Sequence, residues 1–475
     1  MLNPYEAFEV ARAAFEQARD AAGAGDMALA DAQFEQALGH AGVVWKEDAF
    51  PAEVRTQAAR LASDAAYSRG IVSAQMGGAA DALLAATVLC AEIHGREDLE
   101  ADVRLHGLYR AQCAAFELAH AVRYEAPERA IELFRDAVLC ADAARDFSKQ
   151  EIDKEKLLRT LANASAAALA LATTLRDQGD TRYKTDLVRA LELGKEVLEL
   201  GGLTPALEVE SMLVMGEIHF ELAQVEDEPK TAVEHLENAL GWTREASSAP
   251  GADAALQAQA FQRGANYACV YGLYVRTEDF TRGIGSMEGA VQLALAATSE
   301  AAPPEIRAGA WDTAVRTQQN IGLLWKERDP AQAAGAFSAA AGLASQAASD
   351  EGLSAAHVAQ HMYLRANALL EGAILAQWLG GTETAPEALA LFTDCVAAVE
   401  QVLARPSAPA DVRARAALLG CGAWGRRGRA TGEARCQEAI VRLGAIAAAT
   451  EGADPENRER GASFANQARA VLDGI

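Results

Sequence analysis

Apolar residues recur along this chain at i, i+4 and i+7, the spacing of one face of a helix. The clearest sets are Ala30/Phe34/Ala37, Ala130/Phe134/Ala137, Ala232/Leu236/Ala239, Ala333/Phe337/Ala340 and Ala388/Phe392/Cys395. Ala80/Leu84, Ala190/Gly194/Val197, Gly283/Met287/Ala290 and a weaker Ala434/Glu438 fill the intervals between them. A second helical run precedes each set, separated by a turn signal such as Gly23-Ala-Gly-Asp26, Gly77-Gly78, Gln178-Gly-Asp180 or Arg328-Asp-Pro330. The pattern therefore predicts helical hairpins at 5–22/26–41, 52–75/79–93, 99–146 with Pro127 opening the second helix, 153–178/184–200 and 206–223/230–244. Further hairpins are predicted at 253–297, 304–347, 354–404 and 410–449, about nine in all. Period-two runs of β-branched residues are absent, so the predicted class is all-α.

Internal repetition supports that reading. Ala86-Thr-Val-Leu-Cys90-Ala returns as Asp136-Ala-Val-Leu-Cys140-Ala, about 50 residues later. The stretch Asn320-Ile-Gly-Leu-Leu-Trp325-Lys-Glu-Arg-Asp-Pro330-Ala-Gln-Ala-Ala-Gly-Ala-Phe337-Ser-Ala-Ala-Ala-Gly-Leu-Ala344 resembles a tetratricopeptide repeat. In that family a small residue and an aromatic mark the first helix, and an Ala–aromatic–Ala stripe marks the second. The resemblance implies an α-solenoid of antiparallel hairpins that binds peptides or proteins. The period here is longer than the roughly 34 residues usual for the family. The array is assigned to 1–454. Residues 455–475 read as a capping helix, polar on one face with Phe464, Ala468 and Leu472 on the other. Ser247-Ser-Ala-Pro-Gly251 admits two readings: a break between sub-arrays near 245–253, or a long turn between stacked hairpins.

Composition sharpens the class. The chain is 51% hydrophobic but only 6% aromatic, so thin, alanine-rich helix seams are expected. Its net charge of −24 argues against nucleic acid and anionic membranes as partners and favours solubility. The N-terminal residues read as neither a signal peptide nor a membrane span. The seven cysteines lack metal or disulfide spacing, which suits a reducing cytoplasm. No cofactor, metal or catalytic motif is found, and the chain reads as a non-enzyme.

Two constellations are candidate partner-binding residues. Asn163, Asn266, Asn320 and Asn367 lie inside first helices, where asparagine is a mediocre choice. Some family members use such amides to clamp a peptide backbone in the concave groove. The alternative is a hydrogen bond between helices of the stack. Arg413, Arg415, Arg426, Arg427 and Arg429 make the last hairpin basic in an acidic chain, with Gly425-Arg-Arg-Gly-Arg429 placed at its turn. They suit an acidic partner, or charge pairing within the chain or between copies. Tyr267, Tyr271 and Tyr274 read as core. His357 and His361 lack the glutamate of a zincin helix and read as a solvated or groove-facing pair. The function expected is a cytoplasmic scaffold for a protein or peptide partner, with self-association left open. A ligand-responsive regulator and a helical enzyme subunit are the alternatives.

Overall fold

The computed structural model describes residues 3–147, 153–380 and 385–473. Among them are nineteen helices and no strand. The chain divides into two compact units at Asp227/Glu228. The first unit holds α1 (Pro4–Gly23), α2 (Met27–Lys46), α3 (Ala52–Gln75), α4 (Ala79–His94), α5 (Ala101–Val122), α6 (Pro127–Arg145), α7 (Lys154–Asp177), α8 (Tyr183–Leu200) and α9 (Pro205–Val225). The second holds α10 (Pro229–Ser248), α11 (Ala254–Val275), α12 (Phe280–Ala296), α13 (Pro304–Trp325), α14 (Pro330–Ala348), α15 (Ala355–Leu379), α16 (Pro386–Leu403), α17 (Ala410–Thr431), α18 (Ala434–Ala449) and α19 (Pro455–Leu472). The division falls between the two helices read as the fifth hairpin, not at 245–253. Within the second unit α10 packs directly on α11 across the short turn at 249–253, so that stretch is a turn and not a break.

Local chemistry explains the boundaries. Asn3 and Glu6 form a reciprocal capping box on α1, and Asp26, Asp253, Asp279, Asp329 and Ser354 cap other helices through their side-chain oxygens. Proline opens α6, α9, α10, α13, α14, α16 and α19, where a missing N–H leaves no bond unmade.

Odd- and even-numbered helices play different parts. The even ones bury a single stripe: Phe34, Phe134, Leu236, Met287, Phe337 and Phe392 are at most 2% exposed. From α3 onward the odd helices of the stack interior are buried on several faces, as α7 is from Leu157 to Leu175, so their apolar positions show little periodicity. In the first unit α1, α3, α5, α7 and α9 pack in a row, each touching the next odd helix. Among the described residues the backbones of α2, α4, α6 and α8 do not pack on one another; α2 and α4, and α6 and α8, meet through ion pairs such as Lys46–Glu92 and Arg145–Glu196. The second unit repeats this, with α11, α13, α15, α17 and α19 in contact while α12, α14, α16 and α18 do not pack on one another, α16 and α18 being joined by the Arg442–Glu400 ion pair. Each unit is thus an α-solenoid stack with a closed row of first helices and an open row of second helices.

The turn that enters a first helix also recurs. The N–H groups of Phe50, Leu99, Ala302, Leu353, Ala408 and Ala453 each donate to the carbonyl three residues earlier, and five of these side chains are buried. Phe337 illustrates the seam. Its ring lies where a Cβ on Gly322 would stand, 2.9 Å away, so glycine is required there. Replacing Phe337 by Ala should cost about 3–5 kcal/mol. The loss of hydrogen-exchange protection should concentrate in α13, α14 and α15, since repeats contact chiefly their neighbours.

Candidate functional site

The face of the first-helix row in the first unit carries a connected polar cluster that sequence reading did not find. Asp64 of α3 lies 3.0 Å from His106 Nε2 and accepts from Arg110 Nε at 2.7 Å, both on α5. Burial pushes the Asp64 carboxyl up, but the His106 and Arg110 partners hold it below its ordinary range. The Arg110 guanidinium lies 5.0 Å from the Tyr67 ring centroid and 5.4 Å from that of Tyr109. Burial drives the neighbouring Cys113 thiol up to about 11. A pair of tyrosines and a lone arginine on helices about 45 residues apart offered no local motif.

The candidate asparagines divide into two kinds. Asn163 donates to Cys113 Sγ at 3.4 Å, and Asn266 accepts from Thr313 Oγ1 at 2.7 Å. Both are bonds between neighbouring first helices, the alternative weighed above. Asn320 and Asn367 are half-buried and make no side-chain hydrogen bond among the described residues. Asn266 precedes the seam glycine Gly272 by six residues, whereas Asn320 precedes Gly322 by two, so they occupy different rungs.

The arginine cluster requires a correction. Gly425-Arg-Arg-Gly-Arg429 lies within α17 and not at a turn, which comes at Gly432 with φ +69°. Gly428 stays helical because the seam needs it: a Cβ there would stand 2.9 Å from the Cys436 Cβ. Arg427 donates to Thr393 Oγ1 at 3.1 Å and lies over the Trp424 ring, while Arg415 pairs with Asp411 at 2.7 Å over Tyr363. Arg426 is half-buried and Arg429 exposed, and neither has an ion pair among the described residues.

Arg413 belongs to a different set. The segments Pro51-Ala-Glu-Val-Arg55, Glu100-Ala-Asp-Val-Arg104, Pro303-Pro-Glu-Ile-Arg307 and Pro409-Ala-Asp-Val-Arg413 all open first helices. Each arginine sits five residues after the buried or half-buried turn residue described above. Arg55 bridges Asp48 at 3.0 Å and Asp98, and Arg307 pairs with Asp350 at 2.7 Å, which also accepts from Trp311 Nε1. Arg104 donates to the His94 carbonyl at 3.1 Å. Arg413 has no hydrogen bond or ion pair among the described residues, and its Nε is buried without a partner. It lines a cavity of about 480 Å³ with Ala410, Ile446, Ala449, Thr450 and Glu451. In the turn that follows, Thr450 and Gly452 stand where Asp350 and Asp98 stand in the earlier loops. The recurring arginine was legible in the sequence, but only to a reading aligned on the first helices.

The histidine pair is also corrected. His357 bonds Ser354 at 3.1 Å, but His361 is 1% exposed and neither ring nitrogen has a hydrogen-bond partner. The row of first helices encloses it, because α15 packs against both α13 and α17. Among the described residues no three His, Cys, Asp or Glu side chains converge as metal ligands. Nor is any helix there long and apolar enough to cross a membrane.

By its own hairpins this is an all-α helical repeat protein, and its hairpins resemble those of tetratricopeptide repeats. No protein-family model and no curated protein matches it. Solved structures similar to it include the nuclear import adaptor Nro1 of S. pombe, at 10% identity and TM-score 0.37, covering 67% of this chain and 95% of that one. A human IFIT1 dimer with PPP-AAAA is similar at 12% identity and TM-score 0.34, covering 92% and 91%. The TPR domain of P58(IPK) is similar at 12% identity and TM-score 0.21, covering 98% of each chain.

His361 generates a pH prediction. Burial lowers its pKa from 6.5 to about 4, and Asp312, Arg316, Asp350 and His357 are the charged or titratable groups acting on it. The folded protein refuses a proton that the unfolded chain accepts. This contribution is complete above pH 6.5 and is lost as pH falls toward 4, by roughly 3 kcal/mol for a shift of that size. Denaturant titrations at pH 7 and 4.5 should show His361→Leu losing less stability on acidification than the wild type.

Proposed function

We propose that the chain is a non-enzymatic interaction scaffold whose second unit takes an acidic segment of a partner protein at Arg413. The observation that carries this reading is the unpaired guanidinium. At the equivalent positions Arg55 and Arg307 each hold an aspartate from the chain itself. At Arg413 no carboxylate of the chain pairs with the side chain, and a cavity opens beside it. An arginine fork matches a carboxylate geometrically and loses little freedom on pairing. The half-buried Arg426 and exposed Arg429 would add long-range attraction, which matters chiefly for association rate. Asn320 and Asn367, half-buried and without side-chain bonds, would contribute amide contacts to the same class of partner along the first-helix row.

The test uses a panel of synthetic acidic peptides, with neutral-amide analogues as controls, titrated calorimetrically into the full chain. Carboxylate-bearing peptides should bind and their amide analogues should not. Arg413→Ala should weaken binding about 10- to 100-fold, the range for a hydrogen bond to a charged group. Arg413→Lys should recover only part of it. Binding that is indifferent to Arg413, or equal for acidic and neutral peptides, would refute the assignment.

A further inference from the structure

The first unit has a surface of a different kind between α2 and α4. These helices both pack on α3, but among the described residues they do not pack on one another. The opening is a groove of about 910 Å³. Leu38, Val43, Ala82, Ala85 and Leu89 line it, and Val43 is 63% exposed. One ion pair spans it, Lys46 to Glu92 at 3.1 Å, which sets the C-terminal ends of α2 and α4 side by side. On α4 the groove lining runs from Asp81 in the first turn to Leu89, about 12 Å at 1.5 Å per residue, and the Lys46–Glu92 pair lies a turn beyond, about three helical turns in all.

Two glycines on the α2 wall serve nothing inside the chain. A Cβ at Gly39 or Gly42 would meet no atom within 4 Å. Each nevertheless sits mid-helix, where glycine costs about 0.5–1 kcal/mol relative to alanine. A helical glycine admits a closely packed helix at Gly322 and Gly428, whereas Gly241, Gly285, Gly289, Gly335, Gly342 and Gly422, like Gly39 and Gly42, meet nothing. What sets Gly39 and Gly42 apart is their place: both line the groove, so they leave the α2 wall open to the close approach of another backbone.

The charge around the groove selects what that backbone carries. Its two cations are already engaged, Lys46 with Glu92 and Arg69 with Asp31 and Glu35. The carboxylates of Glu47 and Asp81 line the groove with no side-chain hydrogen bond or ion pair among the described residues, one near each end. An extended peptide would need backbone partners that these helical walls lack, whereas a helix satisfies its own. We infer that this groove takes a helix of about three turns from a partner protein, apolar with small residues on one face and basic at both ends. The site is separate from Arg413 and takes the opposite charge, so either assignment can fail alone.

The probe is a synthetic 18-residue amphipathic helix of Leu and Ala with Lys at both ends, labelled for fluorescence anisotropy. Its control carries Glu in place of Lys. Against the full chain the Lys peptide should bind at least 10-fold more tightly than the control. Glu47→Lys with Asp81→Asn, exposed changes that leave the core untouched, should remove that preference. Gly42→Trp should reduce binding by 10-fold or more while circular dichroism stays unchanged. If Gly42→Trp unfolds the chain, the charge pair alone decides. Equal binding of both peptides, or no effect of the charge substitutions, overturns the inference. So does a concentration-dependent dimer, seen by light scattering and dissolved by Gly42→Trp, since a second copy would then be the occupant.

Discussion

Everything in this protein depends on how closely its paired helices approach. A Cβ on Gly272 would stand 2.6 Å from the Gly283 carbonyl oxygen, and one on Gly283 would stand 2.7 Å from the Gly272 carbonyl oxygen. Gly444 and Gly461 repeat the arrangement between α18 and α19, and Gly420 receives the Leu443 side chain. Elsewhere alanine serves, with a larger knob such as Phe34, Phe134 or Phe392 filling the space the small residues leave. Such seams gain from dense contact and from excluded water, and a single added methylene on the wrong side must displace backbone. The scarcity of aromatic residues follows, since each hairpin accommodates few large knobs.

That constraint also separates the two rows of helices. First helices are enclosed and must satisfy their polar groups inside the stack, so Asp64, His106 and Arg110 bond one another and Gln112 donates to two backbone carbonyls. Second helices bury one stripe and expose the rest. Between them lie wedges floored by a first helix, of which the α2–α4 groove is one and a smaller opening between α14 and α16 is another. These grooves are a by-product of packing: where α2 and α4 are held apart, the space between them is apolar at its base and carries Lys46, Glu47 and Asp81 at its rim.

The same asymmetry decides what could be read in advance. Second helices carry a clean period, so their stripes, their knobs and nearly every helix boundary were legible, helped by prolines at first turns and aspartates at caps. First helices carry little period, and their polar residues find partners on other helices, typically 40 to 50 residues away, as Asn266 finds Thr313 and Asn163 finds Cys113. Nothing local distinguishes such an asparagine from one that faces solvent. His361 was placed on an accessible face for the same reason. Gly425 and Gly428 suggested a turn because glycine does so by default, whereas both lie within α17 and Gly428 permits it to lie against α18. The recurring arginine five residues into each helix entry escaped notice because the repeat was aligned on second helices.

Those arginines give the energetic argument its last step. A buried ion pair contributes little net stability, but removing one partner leaves a charge desolvated and uncompensated, typically at a cost of 3–5 kcal/mol. Arg55 and Arg307, each 7% exposed, pair with aspartates through their terminal nitrogens, although their Nε atoms, like that of Arg413, are buried without a partner. Arg413 occupies the corresponding place with its Nε buried and no carboxylate attached, the state that deleting Asp350 would impose on Arg307. Its half-buried position lessens that cost without abolishing it. The chain has 67 acidic residues, yet none pairs with Arg413 among the described residues. A carboxylate arriving from outside would therefore meet a half-buried guanidinium whose Nε is already out of water.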